Sequence, residues 1–144
     1  QGSPLYDFTA VDGIRHTVLG PGEILVSVTV PPVTDRLVFR KETARQGMDF
    51  AYGTIAVRAD GRGERATRLV IVLGSLTTAP RRLVAAEEKL AALGLGEAGL
   101  AAAEATVRDA LGALTNLYSP AAYKRDLART LLSKAVTELR ELPA

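Results

Sequence analysis

Residues 37–52 of the chain read LVFRKETARQGMDFAY and hold its most informative pattern. An alternating apolar stripe runs into Lys41, and Arg45 and Asp49 then follow at intervals of four residues. The aromatic and small residues that end the segment begin a second apolar run. Two strands joined by a short connection fit this pattern, because a period of two is typical of a half-buried strand. The three charged residues are either a solvated polar loop or a binding feature.

The apolar pattern alternates before about residue 76 and is helical after it. Alternation predicts four strands, at 24–30, 36–40, 54–59 and 67–73. Pro31-Pro32 ends the first strand, because proline cannot donate to a sheet ladder. Asp60–Gly63 predicts a hairpin turn before the last strand, since glycine tolerates a positive φ.

Three helices are predicted after the strands. Pro80 is assigned to the first position of the first helix, which Gly94 ends. The second helix is predicted over about residues 97–114. Ser119 and Pro120 are assigned to the N-cap and first position of the third. The apolar stripe of that helix is Tyr123, Leu127, Leu131, Ala135 and Leu139, and its solvated face is assigned to Lys124, Arg125 and Asp126.

Strands followed by helices predict an α+β fold, in which a four-stranded antiparallel sheet is packed on one face by three C-terminal helices. One core is expected to hold Leu69, Ile71, Leu73, Leu127 and Leu131. Residues 1–3, Gln-Gly-Ser, have the form of a remnant from an engineered cleavage site. Residues 4–20 are predicted to be a lead-in segment, and residues 21–142 a single domain.

The residue inventory offers no catalytic machinery. The 144 residues contain no cysteine, which excludes disulfides and cysteine-held zinc or iron–sulfur clusters in this chain. The single histidine, His16, cannot build a histidine metal site. The nucleophile-elbow, Walker A and dinucleotide-binding motifs are also missing. We therefore predict no catalytic residue and no metal-binding residue.

Composition also bears on partners and location. The chain is 47% hydrophobic and 24% charged, which is typical of a soluble globular domain. A formal net charge of only +2, with 5% aromatic residues, gives no support for a nucleic-acid surface. No apolar run reaches the roughly 18 residues that span a bilayer. We expect a cytoplasmic protein with neither a nucleic-acid nor a membrane partner.

Leu25 departs from the pattern of its predicted strand. Strand parity places it with Ser27 and Thr29, away from the apolar face that begins at Ile24. An isolated exposed leucine is common on protein surfaces. Alternatively, Leu25 contacts another surface, such as a second domain or a flat aromatic ligand.

Four separated segments, in order, resemble motifs of one protein family. They are Pro21–Pro31, the Lys41/Arg45/Asp49 segment, Leu73–Arg82 with Ala79 where threonine is common, and Ser119–Arg125 with Lys124 for a frequent arginine. Over nearly all of residues 11–140, the chain is similar to the C-terminal domain of the FAD-binding (medium) subunit of the molybdenum hydroxylases. That family includes carbon monoxide dehydrogenase, xanthine dehydrogenase and 4-hydroxybenzoyl-CoA reductase.

The resemblance implies an accessory domain of a flavin subunit that relays electrons between iron–sulfur clusters and an external acceptor. FAD would be the cofactor of the complete subunit. Its main binding domain is a separate one, so no tightly bound FAD and no activity are expected of this chain alone. The implied partners are an N-terminal FAD-binding domain, an iron–sulfur subunit and a molybdenum subunit.

The resemblance also implies roles for individual residues. Leu25 would contact the isoalloxazine ring, and Lys41 would lie close to it. Glu42–Tyr52, which contains Arg45 and Asp49, would be the loop that borders the flavin. Arg15 would approach that loop. From the residues alone, Arg45 and Asp49 have a simpler interpretation, which is that they pair with one another.

A second class of function is open at this point. The same α+β scaffold would serve a standalone interaction module that has no redox chemistry. An upstream FAD domain in the parent gene, or neighbouring genes for molybdenum and iron–sulfur subunits, would distinguish the flavin subunit from such a module.

Overall fold

The computed structural model of the chain describes residues 17–30, 32, 36–45, 47–61, 63–77, 79–111 and 119–143. The chain divides into two compact units, Gln1–Thr34 and Asp35–Ala144. The strands and helices of the described residues all lie in the second unit. The predicted lead-in segment and the single domain over 21–142 stay predictions.

The second unit is an antiparallel sheet followed by helices. The strands are β1 (Arg36–Thr43), β2 (Ala51–Ala59), β3 (Leu69–Gly74) and β4 (Arg81–Arg82), in the sheet order β1-β2-β3-β4. The helices are α1 (Val84–Leu93), α2 (Glu97–Ala110) and α3 (Ala121–Glu141). Each neighbouring pair of strands is antiparallel. The predicted fold class, a four-stranded antiparallel sheet with three helices, is confirmed.

One face of the sheet carries the core. Alternate side chains of β1, β2 and β3 are buried, among them Val38, Ile55 and Ile71, each at most 2% exposed. Buried residues of the three helices complete one cluster with them. The five core residues expected from the sequence all belong to it: Leu69, Ile71, Leu73, Leu127 and Leu131. The prediction of a single core between sheet and helices is therefore confirmed.

The predicted strand at residues 24–30 is wrong. This segment lies in the first unit, and no residue of it pairs with the sheet. Ile24 and Val26, assigned to a core face, are 80% and 86% exposed. Alternation indicates that the two faces of an extended segment differ in polarity. It does not show which surface covers the apolar face, or whether the segment pairs with a sheet.

The fourth strand of the sheet is instead Arg81–Arg82, where the sequence predicted the start of a helix. Pro80 therefore precedes β4, and α1 begins only at Val84. The cause is tertiary pairing, because the Leu83 N–H donates to the Ile71 carbonyl at 2.9 Å. This bond keeps the chain along β3 until the helix can begin.

A buried carboxylate joins α1 to the edge of the sheet. Glu87, only 6% exposed, accepts the Ile71 N–H at 2.8 Å. The same carboxylate accepts hydrogen bonds from both Nε and Nη2 of Arg82, the latter at 2.8 Å. The hydrogen bond with Glu87, and then the attraction of its charge, raise the pKa of Arg82 above its ordinary value. Stability from a raised arginine pKa is lost as the pH rises from the ordinary arginine pKa through the raised one, so Arg82 adds no pH dependence near neutrality.

The helix boundaries follow the sequence in part. Gly94 ends α1 with a φ of 84°, which confirms the predicted stop. The second helix ends at Ala110 rather than at Leu114, which lies outside the described residues. The N-cap of α3 is Pro120 and not Ser119. Apart from Tyr123, which is 44% exposed, the stripe predicted for α3 is buried.

The third helix packs directly onto β2 at a glycine. A Cβ atom on Gly53 would lie 3.0 Å from a Leu131 methyl and 3.2 Å from methyls of Leu127 and Leu76. Few real Cβ atoms tolerate such contacts, so the missing side chain lets the helix approach the strand backbone. Near the C-terminal end of α3, Arg36 donates from Nη1 to the Leu139 carbonyl at 2.8 Å. The interior of α3 and its C-terminal end are thereby both fixed to the sheet.

Replacing Leu131 by alanine is predicted to lower the free energy of unfolding by about 2–5 kcal/mol, because a fully buried leucine is removed from a packed core. Denaturant unfolding measures this change. Leu93→Ala is the matched control, since Leu93 is 55% exposed and should lose about 0.5 kcal/mol or less. Equal losses in the two variants, or amides of α3 that exchange freely with solvent, would contradict the arrangement.

Replacing Glu87 by alanine is predicted to lower the free energy of unfolding by about 1–3 kcal/mol, because the Ile71 N–H is left without its acceptor. Glu88→Ala, at the exposed neighbouring position of α1, should change it by about 0.5 kcal/mol or less. Thermal unfolding of the two variants side by side provides the comparison. A Glu87→Ala protein as stable as Glu88→Ala would show that the carboxylate is dispensable.

Candidate functional site

The connection between β1 and β2 brings together three of the predicted site residues. Lys41 donates from Nζ to the backbone carbonyl of Asp49 at 2.7 Å. Arg45 Nε lies 3.3 Å from Asp49 Oδ2, and the Phe50 N–H donates to Asp49 Oδ1 at 2.9 Å. Asp49 is therefore the centre of the connection, bonded through its backbone and through both carboxylate oxygens.

The Arg45–Asp49 pair predicted as the simpler interpretation is present. It adds little stability, because the Arg45 side chain is 78% exposed and such pairs contribute about 0–1 kcal/mol. The hydrogen bond from the Thr43 hydroxyl to the Arg45 carbonyl, at 2.6 Å, holds the first half of the same turn. The conformation of the connection thus depends on several local bonds rather than on the ion pair alone.

Lys41 lies on the side of the sheet that faces away from the helices. It alternates with the buried positions of β1 and shares its face with Leu37 and Phe39. These two side chains are 53% and 63% exposed, so the lysine ends an apolar strip on an open surface. One N–H of its ammonium binds the Asp49 carbonyl, and a lysine has two more donors. Lys41 can therefore bind a further acceptor without giving up its anchor.

Leu25 and Arg15 are not brought to this site by any described contact. Leu25 is 52% exposed and lies in the first unit, whereas Lys41, Arg45 and Asp49 lie in the second. Arg15 lies outside the described residues. Their assignment to a flavin contact stays a prediction.

A β-bulge turns Tyr52 towards α3. The strand register pairs Glu42 with Gly53 and then Thr43 with Ala51, so Tyr52 has no residue opposite it. An extra residue of this kind bends the strand and redirects a side chain. The Tyr52 ring meets that of Tyr123 edge to face, with 6.4 Å between the ring centres. The bulge thus places an aromatic wall between the connection and α3.

A cleft of about 390 Å³ lies at this end of the second unit. The β1–β2 connection and the start of β2 contribute one wall, and the residue after β3 and the beginning of α3 contribute the other. The lining residues are Ala44, Asp49, Phe50, Ala51, Tyr52, Ser75, Ser119 and Lys124. Ser75 has a φ of 64°, a left-handed conformation that a residue other than glycine adopts at a cost.

Lys124 corrects the predicted solvated face of α3. It is 6% exposed, and Ser119 beside the helix start is 7% exposed. Of the other two residues assigned to that face, Arg125 is half-buried and Asp126 is exposed. The sequence held a signal that was missed, because Lys124 precedes the buried Ala128 and Leu131 by four and seven residues. A lysine in register with a buried stripe is either covered by the protein or lines a cavity.

Two kinds of feature are absent from the described residues. They contain no group of three or more side chains that could hold a metal ion. None of the described helices combines the length and apolar character needed to cross a membrane. What the second unit offers is a cation on an open apolar surface, and a cleft with a buried cation in its wall.

The second unit is thus an α+β unit in which a layer of three helices covers one face of a short antiparallel sheet. The sequence model of the CO dehydrogenase flavoprotein C-terminal domain matches residues 39–139. The chain belongs to this family, and the resemblance predicted from its motifs is confirmed. No curated protein matches the chain in sequence.

Solved structures show the same fold. Quinoline 2-oxidoreductase from Pseudomonas putida 86 superposes with a TM-score of 0.78 at 22% identity, over 87% of this chain and 44% of that one. Reconstituted CO dehydrogenase from Oligotropha carboxidovorans gives 0.68 at 23% identity, over 78% and 39%. CO dehydrogenase from Hydrogenophaga pseudoflava, lacking the Mo-pyranopterin moiety, gives 0.73 at 22% identity, over 84% and 42%. This chain thus spans less than half the length of these relatives.

Proposed function

We propose that this chain is the accessory domain of a flavin subunit in a molybdenum hydroxylase-type oxidoreductase of the xanthine dehydrogenase and CO dehydrogenase group. In the complete cytoplasmic enzyme the subunit relays electrons between iron–sulfur clusters and an external acceptor. The domain borders the isoalloxazine ring of FAD. Its partners are the N-terminal FAD-binding domain, the iron–sulfur subunit and the molybdenum subunit.

This proposal rests on the family match and on the residues that the match includes. Residues 39–139 include the whole β1–β2 connection with Lys41, Arg45 and Asp49. The structures that share the fold include CO dehydrogenases and a quinoline oxidoreductase, all of them oxidoreductases by name. Leu25 precedes the matched range, so its role rests on the motif alone.

The exposed face of β1 suits one side of a flavin. The isoalloxazine is a planar ring system that gains negative charge when it is reduced. Leu37 and Phe39 form an open apolar strip, and Lys41 ends it with a cation. An apolar surface with one convergent charged group is the usual composition of a cofactor site. Bound FAD would supply the electron transfer, and the residues of this chain would supply position and charge.

Lys41 would act as an electrostatic tuner of the flavin. A cation several ångströms from the ring stabilises negative charge there by on the order of 1–3 kcal/mol at an intermediate effective dielectric. The 2.7 Å bond to the Asp49 carbonyl fixes the ammonium in advance, so little side-chain freedom is lost when a ligand arrives. Leu25 would act differently, by packing its apolar side chain on the ring.

The isolated chain is predicted to be colourless as purified and to bind FAD weakly or not at all. The contacts to the pyrophosphate and adenine, which supply much of the affinity for FAD, would belong to the separate FAD-binding domain. Gel filtration with added FAD, followed by absorbance of the protein peak, tests this. Stoichiometric yellow flavin that survives the column would contradict the proposed division of the subunit.

In the complete flavin subunit, Lys41→Met is predicted to lower the flavin reduction potential or slow flavin reduction, because the cation no longer stabilises the added negative charge. Thermal stability should be nearly unchanged, since Lys41 is exposed. Lys89→Met, at an exposed position of α1, is the matched control and should leave the potential at the wild-type value. A Lys41→Met subunit with wild-type potential and a clearly lower melting temperature would make Lys41 a structural residue.

Leu25→Ala in the same subunit is predicted to weaken FAD binding while the potential changes less. The reason is that the variant removes packing area and no charge. Leu93→Ala, a similarly exposed leucine on α1, should retain wild-type affinity. Fluorescence titration of the flavin-free subunit with FAD measures both. Equal affinity in the two variants would remove Leu25 from the site.

A further inference from the structure

The outer face of the sheet, which is the face away from the helices, continues from β1 across β2 and β3. The strand register places Thr54 of β2 directly opposite Lys41 of β1 and directly opposite Gly74 of β3. Residues that lie directly opposite one another in an antiparallel sheet project to the same face, with Cβ atoms about 5 Å apart. Thr54 is therefore the direct cross-strand neighbour of Lys41 on the outer face.

The Thr54 hydroxyl lies over Gly74, in space that a side chain would otherwise fill. Its Oγ1 atom is only 2.5 Å from the position that a Cβ atom on Gly74 would take. The φ of Gly74 is not positive, so its backbone angle does not require glycine. A glycine within a strand is typical of places where another group approaches closely. Here the group that uses the space is the hydroxyl of Thr54.

This hydroxyl is available to a ligand. Thr54 is partly exposed, and no other residue that the structure describes forms a hydrogen bond with its side chain. A threonine hydroxyl both donates and accepts, so it can bind a carbonyl oxygen. The Lys41 ammonium is anchored at the Asp49 carbonyl, within the β1–β2 connection. The two polar groups therefore present separate contacts on the same face.

Small residues keep the centre of the outer face low. Ala56 follows Thr54 by two positions, so it lies on the same face, between Phe39 of β1 and Val72 of β3. Phe39 and Val72 project further from the sheet than the methyl group of Ala56. They border a shallow apolar recess, and Thr54 lies at its end. Such a recess admits a planar group.

We propose that Thr54 is a second polar contact for the flavin, and that its hydroxyl donates a hydrogen bond to a carbonyl oxygen of the isoalloxazine ring. This inference rests on the proposed function and extends the flavin contact from β1 to β2. An apolar surface with a few convergent polar groups is the usual composition of a cofactor site. Two separate polar contacts fix the orientation of a ring, whereas a single contact leaves it free to rotate.

Thr54→Val in the complete flavin subunit tests the contact, because it removes the hydroxyl and keeps a branched side chain that suits a strand. Fluorescence titration of the flavin-free subunit with FAD should show binding about three- to tenfold weaker, the loss expected for one neutral hydrogen bond. Thr54→Ser, which keeps the hydroxyl, should bind within about twofold of the wild type. Thr130→Val, at an exposed position of α3, is the matched control and should bind as the wild type does.

An infrared measurement separates a hydrogen bond to the ring from a purely structural role of Thr54. A carbonyl that loses its donor has a stiffer bond, so the flavin carbonyl bands of the FAD-loaded Thr54→Val subunit should move to higher frequency. The bands should keep their wild-type positions in Thr54→Ser and Thr130→Val. Unchanged carbonyl bands in Thr54→Val overturn the inference, and so does a Thr54→Ser subunit that behaves as Thr54→Val does.

The same set of proteins distinguishes this inference from the proposed function. If Lys41→Met changes the flavin potential while Thr54→Val keeps the wild-type carbonyl bands, the Thr54 contact alone is wrong. If the bands of Thr54→Val move while Lys41→Met keeps the wild-type potential, the Thr54 contact holds and the electrostatic role of Lys41 is wrong. A complete wild-type subunit that takes up no FAD overturns both.

Discussion

The contact of α3 with the backbone of β2 at Gly53 is the constraint on which the second unit depends. Leu131, Leu127 and Leu76 fill the space that a side chain at this position would occupy, at 3.0–3.2 Å from its Cβ. The helix is thereby held close to the backbone near the start of β2. Tyr52 is bulged immediately before this contact, and Lys124 lies one turn before Leu127. The cleft opens where the close packing of helix and strand ends.

Much of this fold is predictable from periodicity, because the polarity of each side chain in a helix or strand indicates whether its face of that element is buried or exposed. The alternation at Ile55 and Val57 and the helical stripe through Leu131 both mark surfaces that meet in one core. Periodicity does not report which elements meet. Residues 24–30 alternate as clearly as β2 does, yet they do not join the sheet. The two-residue β4 has no period at all and exists because Leu83 and Glu87 bind the backbone of Ile71.

The candidate site also contains some features that the sequence predicted and others that it did not. The spacing of four residues between Arg45 and Asp49 predicted their pairing, since only local geometry was needed. Tyr52 and Ser75 were not predicted, because one depends on strand register and the other on the sign of a backbone angle. Lys124 was predictable in principle. Its position on a buried stripe was in the sequence, but a charged residue next to Arg125 and Asp126 was assigned to solvent by composition alone.

Asp49 links the two sides of this end of the sheet. Its carbonyl accepts the ammonium of Lys41 from the outer face, and the residue also lines the cleft on the helix side. Its carboxylate holds the backbone of Phe50 and the guanidinium of Arg45. The position of the Lys41 charge therefore depends on the conformation of one aspartate, which the ion pair alone stabilises only weakly. In the proposed function, this domain would influence a neighbouring cofactor in this way, by fixing the position of a charge beside it.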